Sequence, residues 1–310
     1  MKEIISKKEV EAYQSQGAIC IRGLLDAEWI DRMGRAVDHI TENPGPMRES
    51  YSPDQPFSFF SEKFLWTVNP EFRNFVFNAP VAATAGHLMQ SSKVNLFYDH
   101  LLVKEPGTKA ETGWHQDCNF WPFTGKQICS VWAPLDVVDE TNGALEFVCG
   151  SHQWYDHPMS RAALFGNRDG QPKEVDDDRA EAIDTAPPQP DIEANRDKYD
   201  ILRWQLEPGD VLIFAAMTLH YAPPNLTDGR RRALSTRWLG DDVRFHIKRK
   251  MLQMIRDPGL TDGQLPDCEL FPTIWRRAGA KAAEPEKFLD RQPARLASAK
   301  ETKGEAQVER

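Results

Sequence analysis

The first forty residues carry apolar positions at helical spacing on both sides of one short apolar run. Ser6 and Glu9 stand at the spacing of a capping box, which predicts a first helix that ends near Gly17. The run AICIRG at 18–23 is typical of a strand. A second amphipathic helix is predicted because apolar residues recur at the spacing of one helix face, namely Ile30, Met33, Val37 and Ile40.

From residue 95 onward the pattern changes to short runs rich in β-branched and aromatic residues. Turn signals such as EPGT, TNG, EPGD and TDGR separate these runs. With few helical segments between the strands, the pattern favours an antiparallel sandwich or barrel over a parallel α/β sheet. The predicted strands lie within 95–104, 127–138, 144–148, 199–206, 210–217 and 232–240.

Two segments lack this regular spacing of short strands and turns. Residues 155–199 are polar, acidic and interrupted by prolines, so we expect an insertion near the site, either solvated or acting as a lid. Residues 276–310 lack a sustained apolar face and are predicted to form a charged, flexible tail. The sequence thus predicts one domain over residues 1–275, with the insertion inside it.

Composition excludes several classes of function. The chain has 310 residues, 40% of them hydrophobic, and a formal net charge of −9 without a basic stripe, which argues against a nucleic-acid partner. It has no apolar run of roughly 20 residues, and its charged N-terminus does not resemble a secretory signal, so we expect a cytoplasmic protein that does not enter membranes. Its five cysteines lack the CxxC spacing of structural zinc sites.

The stretch TGWHQDCNF at 112–120 places His115 and Asp117 two residues apart. Alternate residues of an extended segment project to one face, so the two side chains are predicted to point together. A histidine and a carboxylate supply two of the three ligands of the facial triad that binds non-haem Fe(II). An isolated pair of this kind is also compatible with a core histidine and an aspartate that caps a turn.

A second histidine strengthens the metal interpretation. His220 ends an apolar strand that follows the EPGD turn, and Arg231 lies near the start of the next strand. Antiparallel pairing of these two strands would bring the side chains of His220 and Arg231 together. An arginine there could bind the distant carboxylate of a 2-oxo acid chelated to iron. The alternative for Arg231 is a surface charge, as its neighbours Arg230 and Arg232 suggest.

These residues resemble the phytanoyl-CoA dioxygenase family of Fe(II)/2-oxoglutarate oxygenases. The similarity includes LLVKEPGTKAETGWHQD, NGALEFVCGSHQ and the helix–strand–helix start, and it covers roughly residues 6–275. The resemblance implies a mostly β fold, a double-stranded β-helix or jelly roll, with helices packed on one sheet. It also implies His115, Asp117 and His220 as iron ligands and Arg231 as the partner of the 2-oxoglutarate C5 carboxylate.

The remaining residues carry over less directly. Trp132 resembles a family tryptophan that lines the 2-oxoglutarate site, although a core aromatic is an equal alternative. Lys104 stands where the family often has a lysine, and we assign it no catalytic role from sequence. His152, in CGSH, is expected to be structural and is the main alternative to His220 as a ligand.

The activity implied by the resemblance is oxidation of a small molecule by O2, coupled to decarboxylation of 2-oxoglutarate to succinate and CO2. Hydroxylation is the first expectation, because halogenases of this superfamily replace the carboxylate ligand with a small residue and Asp117 is present here. Desaturation, epoxidation and cyclisation use the same ligands. Two other classes stay open from sequence, namely a cupin-like metal enzyme that does not use 2-oxoglutarate and a non-catalytic jelly-roll binding protein.

Overall fold

The computed structural model describes residues 5–52, 58–159, 186–248 and 251–277. Residues 160–185, the larger part of the predicted insertion, lie outside the described residues, as does the predicted tail from residue 278 onward. Within the described part, short 3-10 helices cover Leu65–Thr67, Asp117–Phe120, Ser151–Gln153 and Glu193–Lys198.

The α-helices form where the sequence supplies caps. They are α1 Lys7–Gln16, α2 Ala27–Glu42, α3 Pro70–Asn78 and α4 Val81–Leu88. Ser6 and Glu9 form the expected capping box, and α1 stops at Gly17, whose φ of 81° favours glycine. Asp26 caps α2 through a side-chain oxygen that accepts from the Trp29 backbone N–H. The helix–strand–helix start predicted from the sequence is confirmed.

The strands belong to an antiparallel fold in two main sheets. In chain order they are β1 Ala18–Ile21, β2 Arg48–Ser50, β3 Phe59–Lys63, β4 Lys93–Lys104, β5 Thr112–His115, β6 Phe123–Thr124, β7 Ile128–Pro134, β8 Glu146–Val148, β9 Ile201–Arg203, β10 Val211–Ala215, β11 His220–Ala222, β12 Arg231–Leu239, β13 Arg244–Phe245 and β14 Thr273–Arg276. The major sheet has the order β1-β10-β7-β12-β4-β3-β2, with β14 also paired to β4, and the minor sheet has the order β5-β11-β8-β9. This arrangement confirms the predicted mostly β jelly roll.

Alternation along the strands of the major sheet separates two apolar layers. Val131, Ala133 and Leu234 pack in the larger cluster, which includes the residues of α2, α3 and α4. Trp132 and Ala233, one position away, pack in a second cluster with residues of the minor sheet such as Phe147. Helices therefore cover one face of the major sheet, and the other face lines the interior of the sandwich.

One predicted pairing is wrong. His220 begins β11 in the minor sheet, where it pairs with His115 and Phe147, whereas Arg231 begins β12 in the major sheet, opposite Lys104. The segment between them crosses from one sheet to the other, so the two strands do not form a hairpin. Asn225 anchors this crossing, because its side-chain amide donates to the carbonyls of Lys104 and Gly229.

Across the described ranges, no helix has both the length and the apolar character required to cross a bilayer. All five cysteines are free thiols.

Candidate active site

Three predicted ligands converge in the interior of the sandwich. His115 and His220 are opposite each other in the ladder between β5 and β11, and their ring centroids are 4.0 Å apart. Asp117 begins the 3-10 helix just after β5, and Gln116 keeps an extended backbone between His115 and Asp117. One ligand atom from each residue lies within 4.8 Å of the others. The extended backbone predicted for the HxD stretch therefore directs the side chains of His115 and Asp117 to the same face, next to His220.

Backbone carbonyls orient both imidazoles. His115 Nδ1 is 2.8 Å from the Gly113 carbonyl, and His220 Nδ1 is 2.9 Å from the Thr218 carbonyl. A carbonyl oxygen can only accept, so each Nδ1 must donate its proton. In the neutral form of each ring, Nε2 is then the unprotonated nitrogen and faces Asp117, which is the tautomer that a metal requires.

The two oxygens of Asp117 have different surroundings. Oδ1 lies 3.7 Å from His115 Nε2 and 3.8 Å from His220 Nε2. Oδ2 accepts a 2.8 Å hydrogen bond from the Ser130 hydroxyl and lies 3.3 Å from Arg237 Nε. The carboxylate is thus fixed with one oxygen toward the histidines and the other toward the wall of the major sheet.

Burial and charge determine the protonation of the cluster. Burial by itself raises the pKa of Asp117, but Arg237 and the two histidines lower that pKa well below its usual range. Burial, followed by the neighbouring His115, lowers the pKa of His220 to about 3. The cluster therefore contains an ionised carboxylate and a neutral His220 at ordinary pH, which are the forms that bind a divalent cation.

The donor set fits a redox-active divalent metal. Two imidazole nitrogens and one carboxylate oxygen on one side of a cation leave positions open for other ligands, which is the facial arrangement of non-haem iron enzymes. His220 is packed between Phe147 and Phe214, with ring centroids 5.9 and 4.8 Å away. Aromatic packing on both faces therefore holds the His220 ring in place.

A second buried polar group lies farther along the same wall of the sandwich. Arg231 is 2% exposed, and its Nε and Nη1 have no hydrogen-bond partner among the described residues. Its guanidinium carbon is 5.6 Å from the centroid of the Trp132 ring. An unsatisfied buried guanidinium is costly unless an acceptor fills the space, and a carboxylate matches its fork.

Lys104 lies beside Arg231 as its partner in the ladder between β4 and β12. Its Nζ donates to the carbonyls of Ala222 and Pro223. Burial, with a further contribution from Arg231, lowers the pKa of Lys104 to about 6. The TNG turn packs closely against Arg231 and Pro223. A Cβ on Gly143 would lie 3.0 Å from the Pro223 carbonyl oxygen and 3.4 Å from Arg231 Nη2.

His152, the alternative ligand, lies elsewhere. Its Nε2 is 3.1 Å from the Gln14 carbonyl at the end of α1, and a Cβ on Gly17 would lie 2.4 Å from its Nδ1. His152 therefore packs against the end of α1, and it is not part of the cluster with Asp117.

Sequence reasoning missed two residues that contact the cluster, Ser130 and Arg237. Both face the interior of the sandwich because Arg237 pairs with Ser130 across β12 and β7. The available signal was alternation, since Arg237 is an even number of residues from Arg231 on one strand and therefore shares its face.

Comparison with known proteins agrees with this geometry. The profile of the family described as phytanoyl-CoA dioxygenase (PhyH) matches residues 13–233, more than half of the chain. A probable phytanoyl-CoA dioxygenase of Caenorhabditis elegans is 23% identical over 257 residues, which are 77% of this chain and 77% of that protein.

Solved structures with the same fold include two enzymes of nogalamycin biosynthesis. The non-haem α-ketoglutarate-dependent carbocyclase SnoK is 22% identical with a TM-score of 0.66, and the alignment covers 87% of this chain and 97% of that one. The epimerase SnoN, solved with Fe3+, α-ketoglutarate and nogalamycin RO, is 19% identical with a TM-score of 0.68, covering 87% and 98%. The chain belongs to the phytanoyl-CoA dioxygenase family and is a non-haem Fe(II)/2-oxoglutarate-dependent enzyme.

Proposed function

We propose that His115, Asp117 and His220 bind Fe(II), that Arg231 binds the C5 carboxylate of 2-oxoglutarate in a site lined by Trp132, and that the enzyme hydroxylates a small-molecule metabolite. Succinate and CO2 are the co-products. Iron and 2-oxoglutarate, when bound, supply the oxidising chemistry with O2. The chain's own residues fix their positions and limit the access of water.

The observation that carries this proposal is the unsatisfied Arg231. Its guanidinium is buried against Trp132 on the wall that also holds Ser130 and Arg237, which contact Asp117. A metal enzyme without a dicarboxylate co-substrate would have no use for buried donors that lack an acceptor. Arg231 therefore favours 2-oxoglutarate over the cupin-like alternative, and the complete triad argues against a non-catalytic binding protein.

Hydroxylation is the proposed outcome, because Asp117 fills the ligand position that halogenases leave open for halide. The carbocyclase and the epimerase share this fold, so the fold alone does not select the reaction. The identity of the substrate and its placement relative to the three ligands would decide between hydroxylation and these other oxidations.

The proposal is tested with the purified full chain under anaerobic conditions. Fe(II) and 2-oxoglutarate together should produce a metal-to-ligand charge-transfer absorption band, and O2 should then yield succinate. His220→Ala should remove the band and succinate formation together. The matched control is Arg230→Ala, because Arg230 is paired with Glu105 at 2.8 Å and leaves the site untouched. A wild-type protein that binds iron but gives no band with 2-oxoglutarate would refute the proposal.

Three predictions from sequence stand beside this proposal. We propose a jelly-roll domain over residues 1–275 with an insertion at about 155–199 and a C-terminal tail at 276–310. We also propose a cytoplasmic location, on the grounds of the charged N-terminus and the lack of a long apolar run in the sequence. The net charge of −9 and the lack of a basic stripe support the absence of a nucleic-acid partner.

A further inference from the structure

The interior wall of the major sheet has a second unsatisfied group, His100. Neither ring nitrogen of His100 has a hydrogen-bond partner among the described residues, and both nitrogens are shielded from solvent. The residue as a whole keeps part of its surface accessible, although it lies in the middle of β4. Its ladder partners are Lys63 on β3 and Ser235 on β12, so all three side chains share the interior face.

Cationic side chains stand on both sides of His100. Lys63 is 5% exposed and forms a 2.7 Å ion pair with Glu49. Arg237 donates to Ser235 Oγ, and its guanidinium lies between the rings of Tyr98 and Trp121, 5.5 and 5.7 Å from their centroids. Burial, followed by Arg237 and Lys63, lowers the pKa of His100 well below its usual value. His100 is therefore a neutral imidazole with one N–H to donate.

Unsatisfied polar atoms thus occur at two separate places on this wall. Lys104 and His100 are four residues apart on β4, which is roughly 13 Å along a strand. The place beside Lys104 contains Arg231 and suits the distal carboxylate of 2-oxoglutarate. The place at His100 is next to Arg237, which contacts the proposed iron ligand Asp117. A ligand that accepts from His100 would therefore lie close to the metal, away from the carboxylate that Arg231 suits.

Formal charges indicate the sign of that ligand. With Fe(II), Asp117, the 2-oxoglutarate dianion and Arg231 in place, the charges cancel, and Lys63 and Glu49 cancel each other. Arg237 then leaves a positive charge without a counterpart at the wall, and protonation of Lys104 on 2-oxoglutarate binding would add a second. A positive field beside a free imidazole N–H favours an anionic oxygen group.

We propose that His100, Arg237 and Lys63 form the substrate-binding wall and that the primary substrate is a small carboxylate whose anionic oxygen accepts from His100. This inference rests on the proposed function and gives it a substrate class. A long acyl chain would need an apolar wall beside the metal, because polar groups buried against hydrocarbon remain unsatisfied. The wall described here is polar and cationic.

The experiment uses propionate and propionamide, which have the same size and shape but differ in charge. The full chain is loaded with 2-oxoglutarate and Zn(II), a diamagnetic substitute for Fe(II), and the histidine ring resonances are followed by NMR. The chain has eight histidines, so the His100 signals can be identified by their loss in His100→Gln. Propionate should shift the His100 signals with saturation, and its Kd should be at least about tenfold lower than that of propionamide.

Variants at His100 separate a ligand contact from a general charge effect. His100→Leu should weaken propionate binding at least tenfold, measured on the rings of His115 and His220, and should leave the Kd for 2-oxoglutarate within about twofold. His100→Gln keeps an N–H donor and should retain propionate binding within about threefold. Both variants should keep the Zn(II) affinity of the wild type.

Several results would overturn the inference. Equal binding of propionate and propionamide would remove the requirement for an anion, and propionate binding that survives His100→Leu would remove the role of His100. If His100→Leu weakened 2-oxoglutarate instead, His100 would belong to the co-substrate site. Failure of the wild type to bind metal or 2-oxoglutarate refutes the proposed function itself, whereas a loaded protein without preference for propionate refutes only this inference.

Discussion

Lys104 and Arg231 occupy opposite positions in the ladder between β4 and β12, and both side chains are almost completely buried. Two neighbouring buried cations repel each other when no counter-charge lies close to them. The repulsion adds to the effect of burial, and the pKa of Lys104 falls to about 6. In the ligand-free protein Lys104 is therefore a neutral amine beside the charged Arg231, and an anion bound between them would favour its protonation.

The first prediction is that 2-oxoglutarate binding takes up a proton at pH 7.5. The carboxylate near Arg231 should raise the pKa of Lys104, so the neutral amine becomes an ammonium in the complex. Calorimetry of the metal-loaded protein in buffers of different ionisation enthalpy measures this uptake. Lys104→Met should abolish most of it, whereas Lys8→Met, on the exposed face of α1, should not. Equal uptake in Lys104→Met would show that another group titrates.

The same lysine predicts a pH dependence of folding stability. The pKa of Lys104 is about 6 in the folded chain and about 10.5 in the unfolded chain, so the unfolded state binds more protons between these values. The unfolding free energy of the ligand-free protein should therefore gain a positive contribution as pH rises from about 6 to about 10.5. Lys104→Met should flatten this slope in denaturant titrations across that range. A slope unchanged by the substitution would contradict the lowered pKa.

Arg231→Lys should weaken 2-oxoglutarate without affecting iron. Lysine offers one point contact where the guanidinium offers two parallel donors, so the Kd should rise by about ten- to a hundredfold. The charge-transfer band, titrated anaerobically, measures this Kd, and chelator competition measures the Fe(II) affinity. Arg232→Ala is the control on the opposite face, where Arg232 pairs with Asp136 at 2.8 Å. The reverse pattern, with only Arg232→Ala affecting the band, would place the co-substrate on the other face of β12.

His220→Ala and His152→Ala should have opposite effects. Loss of His220 removes a nitrogen that lies 3.8 Å from Asp117 Oδ1, so Fe(II) binding should fall by at least about a hundredfold and turnover should cease. Loss of His152 removes a contact with the end of α1 and should lower thermal stability with the Fe(II) affinity intact. Anaerobic titration and thermal unfolding of both variants check this. An iron-binding defect in His152→Ala alone would reverse the ligand assignment.

The HxD stretch and His220 could be found from sequence because their signals are local. Extended backbone at Gln116 fixes the relation between His115 and Asp117, and His220 follows an apolar strand with clear turn signals. The α3 helix could also have been predicted, since Asn69 and Pro70 form an N-cap and a first helical position.

Other relationships depend on strand register and could not be read from spacing. Ser130 and Arg237 contact Asp117 because β7 and β12 are neighbours in the major sheet, although they are about a hundred residues apart in the chain. The expected pairing of His220 with Arg231 failed for a related reason. A polar, proline-containing connection predicts a hairpin equally well when it carries the chain between sheets, as it does here through Asn225.

The last prediction tests the position of Asp117. Ser130 is fully buried, and its hydroxyl donates a 2.8 Å hydrogen bond to Asp117 Oδ2, so water cannot easily replace this donor. Ser130→Ala should leave the carboxylate less well oriented and lower the Fe(II) affinity by about tenfold, as expected for the loss of a hydrogen bond to a metal ligand.

Ser130→Thr keeps the hydroxyl and should restore most of the affinity, which a purely structural role for this position would not produce. Ser91→Ala provides the matched control, because Ser91 is equally buried but bonds to the Lys93 carbonyl instead. Chelator competition gives the affinities, and the visible spectrum of the Co(II)-substituted protein reports the coordination geometry. If Ser130→Ala binds Fe(II) as the wild type does and its Co(II) spectrum is unchanged, Arg237 alone suffices to hold Asp117 in place.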